Sequence, residues 1–231
     1  MITNFNYIDE NFKRIRENVN NSIAKYRKST DNVRIMSVTK TVQHEAVNHA
    51  ITLGIDLLGE NKVQEYLSKK DLYYKSAEMN FIGRLQTNKV KYIINDMSLI
   101  HSVDSIKLAQ EINRLALKNS KVQDVLVEVN IAGEESKAGV KPELLKDFLL
   151  EVSTLENIRV KGLMTLPPAN SGDKFLAKMQ ELYIDISEEK LDNISMTILS
   201  MGTSGDYTQA IKYGSTLVRI GTALFGARTY L

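Results

Sequence analysis

The chain has no cysteine and no tryptophan, and only three histidines and three prolines in 231 residues. Without cysteine there can be no disulfide and no thiolate nucleophile, so stability must come from a packed core. His44 and His49 are the histidines closest in sequence. On a helix their spacing of five turns the imidazoles apart, which misses the spacing of four that a zinc helix needs. No metal site is expected. No Walker loop and no Gly-x-Ser-x-Gly elbow occurs. With few prolines and no low-complexity stretch, nothing announces a linker, and one domain is expected over residues 1–231. No apolar run approaches the ~20 residues of a membrane span. The opening Met1-Ile2-Thr3-Asn4 turns polar at once, unlike a signal peptide. Thirty Lys and Arg are interspersed with 28 Asp and Glu, for a net charge of +2. That pattern lacks the basic block of a nucleic-acid binder. The expectation is a cytoplasmic globular protein with neither membrane nor nucleic acid as partner.

What is present is a regular alternation. Ile8, Phe12, Ile15, Val19, Ile23 and Tyr26 recur at helical steps and predict a first helix. Eight short apolar runs follow, at Val33–Val38, Ile55–Gly59, Phe81–Leu85, Ser98–Val103, Val125–Ile131, Val160–Leu166, Met196–Met201 and Thr216–Phe225. Helical patterns separate them. Asp104 reads as an N-cap, Pro142 as a first helical turn, and Phe175 to Leu191 as a further helix. Nearly continuous apolar strands alternating with helices indicate a buried parallel sheet. Eight such units in about 200 residues predict an α/β fold, a closed (β/α)8 barrel, with the additional N-terminal helix placed to close its floor.

In such a barrel the functional groups gather at the C-terminal strand ends, and phosphates bind after strands seven and eight. Strand seven runs into Ser200-Met201-Gly202-Thr203-Ser204-Gly205, and strand eight reaches Gly221-Thr222. Glycines admit a phosphate close to the backbone, while hydroxyls and N–H groups supply donors. The alternative is ordinary turn punctuation. Arg219 shares parity with Gly221 inside strand eight. A guanidinium there either forms a core salt bridge, for example with Glu128, or donates to a ligand heteroatom. Lys40 closes strand one at the barrel top. Either it snorkels to solvent, or near-burial lowers its pKa and yields the neutral amine a Schiff-base lysine needs. An amine, an arginine and a phosphate cup together suggest a cofactor bearing an aldehyde and a phosphate, pyridoxal 5′-phosphate.

The sequence resembles the pyridoxal phosphate homeostasis proteins, single-domain relatives of the alanine racemase barrel. The resemblance rests on Val38-Thr39-Lys40-Thr41, on Gly59 through Glu65, on Phe81 through Lys89, on His101-Ser102-Val103-Asp104, on Ser136-Lys137-Ala138-Gly139, on Leu199-Ser200-Met201-Gly202 and on Gly214 through Gly226. It implies that Lys40 forms the Schiff base and Arg219 contacts the pyridine nitrogen. It further implies that Ser200, Ser204, Gly221 and Thr222 bind the phosphate and that Asn61 lies beside the ring. Two positions depart from the family pattern: Asn80 stands where histidine is common, and Thr203 where methionine is usual.

An arginine at the ring nitrogen has no proton acceptor to offer, so the nitrogen stays unprotonated and the ring is a poor electron sink. Racemisation also needs a second base opposite Lys40, which racemases of this barrel type draw from a partner subunit's extra domain. This chain stops six residues after the eighth apolar run. A top-loop tyrosine such as Tyr207 is a conceivable substitute. The expectation is a monomeric protein that holds pyridoxal phosphate without efficient turnover, with the cofactor, amino acids and pyridoxal-phosphate-dependent apoenzymes as candidate partners. The alternatives are a weak amino-acid racemase, or a barrel binding another phosphorylated metabolite.

Overall fold

The computed structural model describes residues 4–168 and 171–227. Eight parallel strands close into a barrel in sequence order: β1 (Arg34–Val38), β2 (Leu57–Glu60), β3 (Glu78–Phe81), β4 (Leu99–Val103), β5 (Gln123–Glu128), β6 (Ile158–Met164), β7 (Ile194–Thr203) and β8 (Leu217–Ile220). Pairing of β1 with β8 completes the ring. The helices are α1 (Asn6–Tyr26), α2 (His44–Thr52), α3 (Val63–Lys69), α4 (Ile106–Lys118), α5 (Leu145–Val152), α6 (Lys174–Ser187), α7 (Tyr207–Lys212) and α8 (Thr222–Phe225). A 3-10 turn, Thr87–Tyr92, stands between β3 and β4. Among the described residues no helix is long and apolar enough to cross a membrane.

The strands are apolar on both faces because both faces are buried. Val125 and Val127 pack outward against Phe148 and Leu149 of α5, within one large cluster between sheet and helices. Their neighbour Leu126 turns inward to Leu99 and Met164, and Met36, Val38, Leu57 and Leu217 fill the barrel beside them. Each such fully buried side chain contributes on the order of 1.5–3 kcal/mol.

Four expectations change. The first helix lies on the outer wall, not the floor. Ile8, Phe12, Ile15 and Val19 join Val47, Ala50, Ile211 and Leu224 in one cluster, and Asn11 Nδ2 donates to the Leu224 carbonyl at 3.0 Å. The floor is instead formed by Leu57, Leu99, Ile198 and Leu217 above a cavity of about 350 Å³. The third strand runs from Glu78 to Phe81, so the apolar run after it (Ile82, Leu85) is buried loop. Pairing of Leu57 with Glu78 and Gly59 with Asn80 sets that register, and local hydropathy does not see such pairing. The seventh strand continues through Thr203, which places Ser200 within the strand, not in the turn. The eighth strand ends at Ile220, and Thr222–Phe225 is helical. A short apolar run cannot distinguish these two states by periodicity. Two helix starts are finer points: Ser105, not Asp104, occupies the α4 cap position, and Pro142 opens a 3-10 turn directly before α5.

Candidate cofactor site

The C-terminal strand ends form the barrel mouth. Because β8 stops at Ile220, Gly221 and Ala223 sit at the start of α8 with N–H groups that have no helical partner. Both donate to Ser204 Oγ, each at 3.1 Å. Two donors from one strand–helix junction thus converge on a single oxygen position. Thr222 stands exposed between them. Gly221 also packs close to β1: a Cβ there would lie 3.5 Å from Val38 Cβ. That contact brings the junction beside Lys40, which follows Val38 by two residues and is half-buried.

The backbone around Lys40 is clamped from α3. Lys69 Nζ donates to the carbonyls of Thr39 and Val42 at 3.2 and 3.1 Å. Glu65 Oε1 accepts from the Thr41 N–H, and Thr41 holds a left-handed φ of 62°. For a β-branched residue that conformation is strained and must be held by its surroundings. Beneath lies Glu60, fully buried, accepting from Thr39 Oγ1 at 2.8 Å and Tyr73 Oη at 2.7 Å. Burial pushes its carboxyl above the ordinary range, and the hydrogen bonds from Tyr73 and Thr39 oppose that. None of Glu60, Glu65, Lys69 and Tyr73 was singled out from sequence. Their positions relative to Lys40 depend on how α3 packs, and only the strict Glu65–Lys69 spacing of four hinted at a pair.

Asn61 sits just beyond β2, level with Lys40, because Val38 pairs with Gly59. Its Oδ1 is buried with no hydrogen-bond partner. Gly83 supports it from behind: any Cβ there would collide with the Asn61 carbonyl oxygen.

Arg219 is 3% exposed on β8. Nη1 donates to Ser200 Oγ at 2.6 Å and Nη2 to the Thr165 carbonyl at 2.8 Å. The salt bridge to Glu128 is not formed, and both acceptors are neutral. Burial therefore pushes the guanidinium down to about 10. Glu128 shares inward parity with Leu126 and is pushed up to about 7 by burial and by the Asp104 charge, with Arg219 and Arg84 opposing. Ser200 itself is fully buried and joined to Arg219 and to His101, 3.2 Å from the imidazole Nδ1. Its hydroxyl lies under Arg219, whereas Ser204 meets the α8 start. The departure at Thr203 is turned into the loop, where its N–H and hydroxyl both donate to Asp206 Oδ1 at 2.7 and 2.9 Å. Tyr207 faces away from the mouth: its hydroxyl accepts from Asn18 Nδ2 of α1 at 2.8 Å, so it cannot act as the second base.

Both sequence and fold match known proteins. The family model of the alanine racemase N-terminal domain matches residues 11–229. A pyridoxal phosphate homeostasis protein of Aquifex aeolicus is 43% identical over 229 residues, covering 96% of this chain and 98% of the relative. The chain belongs to the pyridoxal phosphate homeostasis protein family. The solved structure of the family member PipY from Synechococcus elongatus with pyridoxal phosphate bound matches with a TM-score of 0.79 at 27% identity, covering 95% of this chain and all of PipY. An alanine racemase of Corynebacterium glutamicum shares the fold at 14% identity and TM-score 0.74, and this chain spans 62% of its length. The residues at the mouth fit the family's cofactor on three counts among the described residues: two N–H donors converge on one hydroxyl oxygen, Ser204 Oγ, that a phosphate oxygen can replace, Asn61 Oδ1 is buried without a hydrogen-bond partner, and Arg219 is a buried cation hydrogen-bonded to neutral oxygens.

Proposed function

We propose that this protein binds pyridoxal 5′-phosphate at the barrel mouth and holds or hands over the cofactor inside the cell. Bound there, the cofactor supplies an aldehyde that condenses with a primary amine, and a phosphate dianion. Lys40 provides the amine. The N–H groups of Gly221 and Ala223, with the hydroxyls of Ser204 and Thr222, receive the phosphate. Arg219 donates to the pyridine nitrogen, Asn61 lies beside the ring, and Ser200 supports Arg219 from below. The observation that carries this reading is Arg219, a buried guanidinium whose hydrogen-bond acceptors among the described residues are a hydroxyl and a carbonyl. Such a cation costs several kcal/mol to bury, and a ligand acceptor offsets that cost.

Arg219 has no proton acceptor to lend the ring nitrogen, so it does not promote carbanion chemistry. Tyr207 is committed to Asn18. Both features favour a carrier over a weak racemase; the carrier is proposed to act as a monomer in the cytoplasm, with pyridoxal-phosphate-dependent apoenzymes as recipients. The holo-protein, incubated with single amino-acid enantiomers in deuterated water, should show slow α-proton exchange without inversion by NMR. Exchange with inversion near ordinary enzyme turnover, about 10 per second, would replace the carrier by the racemase.

A further inference from the structure

Behind Arg219 a hydrogen-bonded column crosses the barrel toward its floor. Arg219 Nη1 donates to Ser200 Oγ at 2.6 Å. Ser200 Oγ lies 3.2 Å from His101 Nδ1, and His101 Nε2 lies 3.3 Å from Asn80 Oδ1. Asn80 Nδ2 donates to the Glu78 carbonyl at 3.3 Å. Arg219, Ser200, His101 and Asn80 are all at least nine-tenths buried.

The Asn80 end fixes the hydrogen at Nε2, and the neutrality of the buried ring settles Nδ1. The Glu78 carbonyl can only accept, so the Asn80 amide nitrogen faces it and the amide oxygen faces His101. That oxygen can only accept, so His101 Nε2 carries a hydrogen. At the other end Arg219 can only donate, so Ser200 gives it a lone pair and retains one hydroxyl proton. A neutral imidazole protonated at Nε2 has a bare Nδ1, which accepts a hydrogen bond from that hydroxyl. Burial and the Arg219 charge both hold His101 well below its ordinary pKa, consistent with the neutral ring.

We propose that His101 is a positioning residue for Arg219: as the Nε2–H tautomer it orients the Ser200 hydroxyl and so fixes the guanidinium that faces the ligand. The column carries no carboxylate, so nothing in it neutralises the Arg219 charge. Asn80 supplies the acceptor that selects the tautomer. The effect on the ligand rests on pyridoxal phosphate being that ligand. The positioning itself does not.

The experiment compares wild type, His101→Phe and His101→Gln. Glutamine keeps one acceptor and one donor side by side, whereas phenylalanine keeps the bulk alone. In ligand-free protein labelled with ¹⁵N-histidine and ¹⁵N-arginine, His101 should read as the neutral Nε2–H form from about pH 5 to 8. The Arg219 side-chain signal should be sharp in wild type and His101→Gln and lost in His101→Phe. A charged or Nδ1–H imidazole, or an unchanged Arg219 signal in His101→Phe, overturns the proposal. In titrations, wild type and His101→Gln should bind pyridoxal phosphate about 10-fold or more tightly than its 1-deaza analogue, the scale of one charge-assisted hydrogen bond. His101→Phe should lose most of that preference while still binding both. Equal weakening toward both compounds would mean His101 is merely structural. Failure of wild type to bind pyridoxal phosphate would remove the cofactor reading, and the ligand-free spectra would still decide the positioning.

Discussion

At the barrel floor Arg34 meets Asp56 at 2.9 Å and Glu78 at 3.1 Å, and Arg159 meets Asp124 at 3.1 Å, all on partly exposed side chains. At the mouth Arg219 is buried and bonded to a hydroxyl and a carbonyl, and Glu128 has no salt bridge among the described residues. The same residue types therefore do different things at the two ends. Exposed pairs are screened and hold little free energy. Buried charges without a direct ion pair destabilise the chain until a ligand meets them, and they persist where function needs them.

The largest expected effect separates the two ends by covalent chemistry. Borohydride treatment of the protein with pyridoxal phosphate should leave an adduct on Lys40, seen by peptide mass mapping. Lys40→Ala should abolish it and Arg34→Ala should leave it intact. Recovery of the adduct on another lysine would remove Lys40 from the site. Next in size is selection for the phosphate. Two backbone N–H donors to an ionised group, at roughly 1.5–3 kcal/mol each, predict that pyridoxal binds about 100-fold or more weakly than pyridoxal phosphate in a fluorescence titration. Comparable affinities would show that the junction at Gly221 and Ala223 is not the phosphate cup.

Glu128 sharpens the comparison through pH. Its carboxyl is raised from 4.5 to about 7 in the folded protein. Between those values the folded chain holds a proton the unfolded chain has released, so stability falls as pH rises through that window and levels off above it. Glu128→Gln has no proton to lose. In urea unfolding of the ligand-free protein its advantage over wild type should grow from pH 5 to 8 and reach about 1–2 kcal/mol, a value already discounted for partial solvent access. A gap that does not change with pH would mean that Glu128 is ionised throughout. The smallest effect belongs to the floor: Arg34→Ala should cost about 0–1 kcal/mol and less at high salt. A larger loss would place the floor ion pairs among the groups that stabilise the fold.

Much of the architecture could be read from one chain because strand and helix periods differ and their order repeats. Eight apolar runs separated by amphipathic helices predicted eight strands, and eight close the barrel. The places that failed share a cause. Glu78-Met79-Asn80 reads as polar loop yet forms β3, because β2 and β4 on either side supply the hydrogen bonds. Thr222–Phe225 reads as strand yet turns helical, because Leu224 packs against α1. Tyr207 was conceivable as a base on sequence position alone, and Asn18, 189 residues away in the chain, claims its hydroxyl.

The sequence by itself determined that strands and helices alternate, and marked Lys40, Ser200, Ser204, Arg219, Gly221 and Thr222, because hydropathy period and residue chemistry are local properties; Asn61 came only with the family resemblance. Only the tertiary structure decided what each of those residues touches. The column from Arg219 through Ser200 and His101 to Asn80 joins four strands far apart in sequence. The clamp on Lys40 comes from a helix nearly thirty residues downstream. Burial, and with it the lowered guanidinium of Arg219 and the raised carboxyl of Glu128, exists only once the barrel has closed.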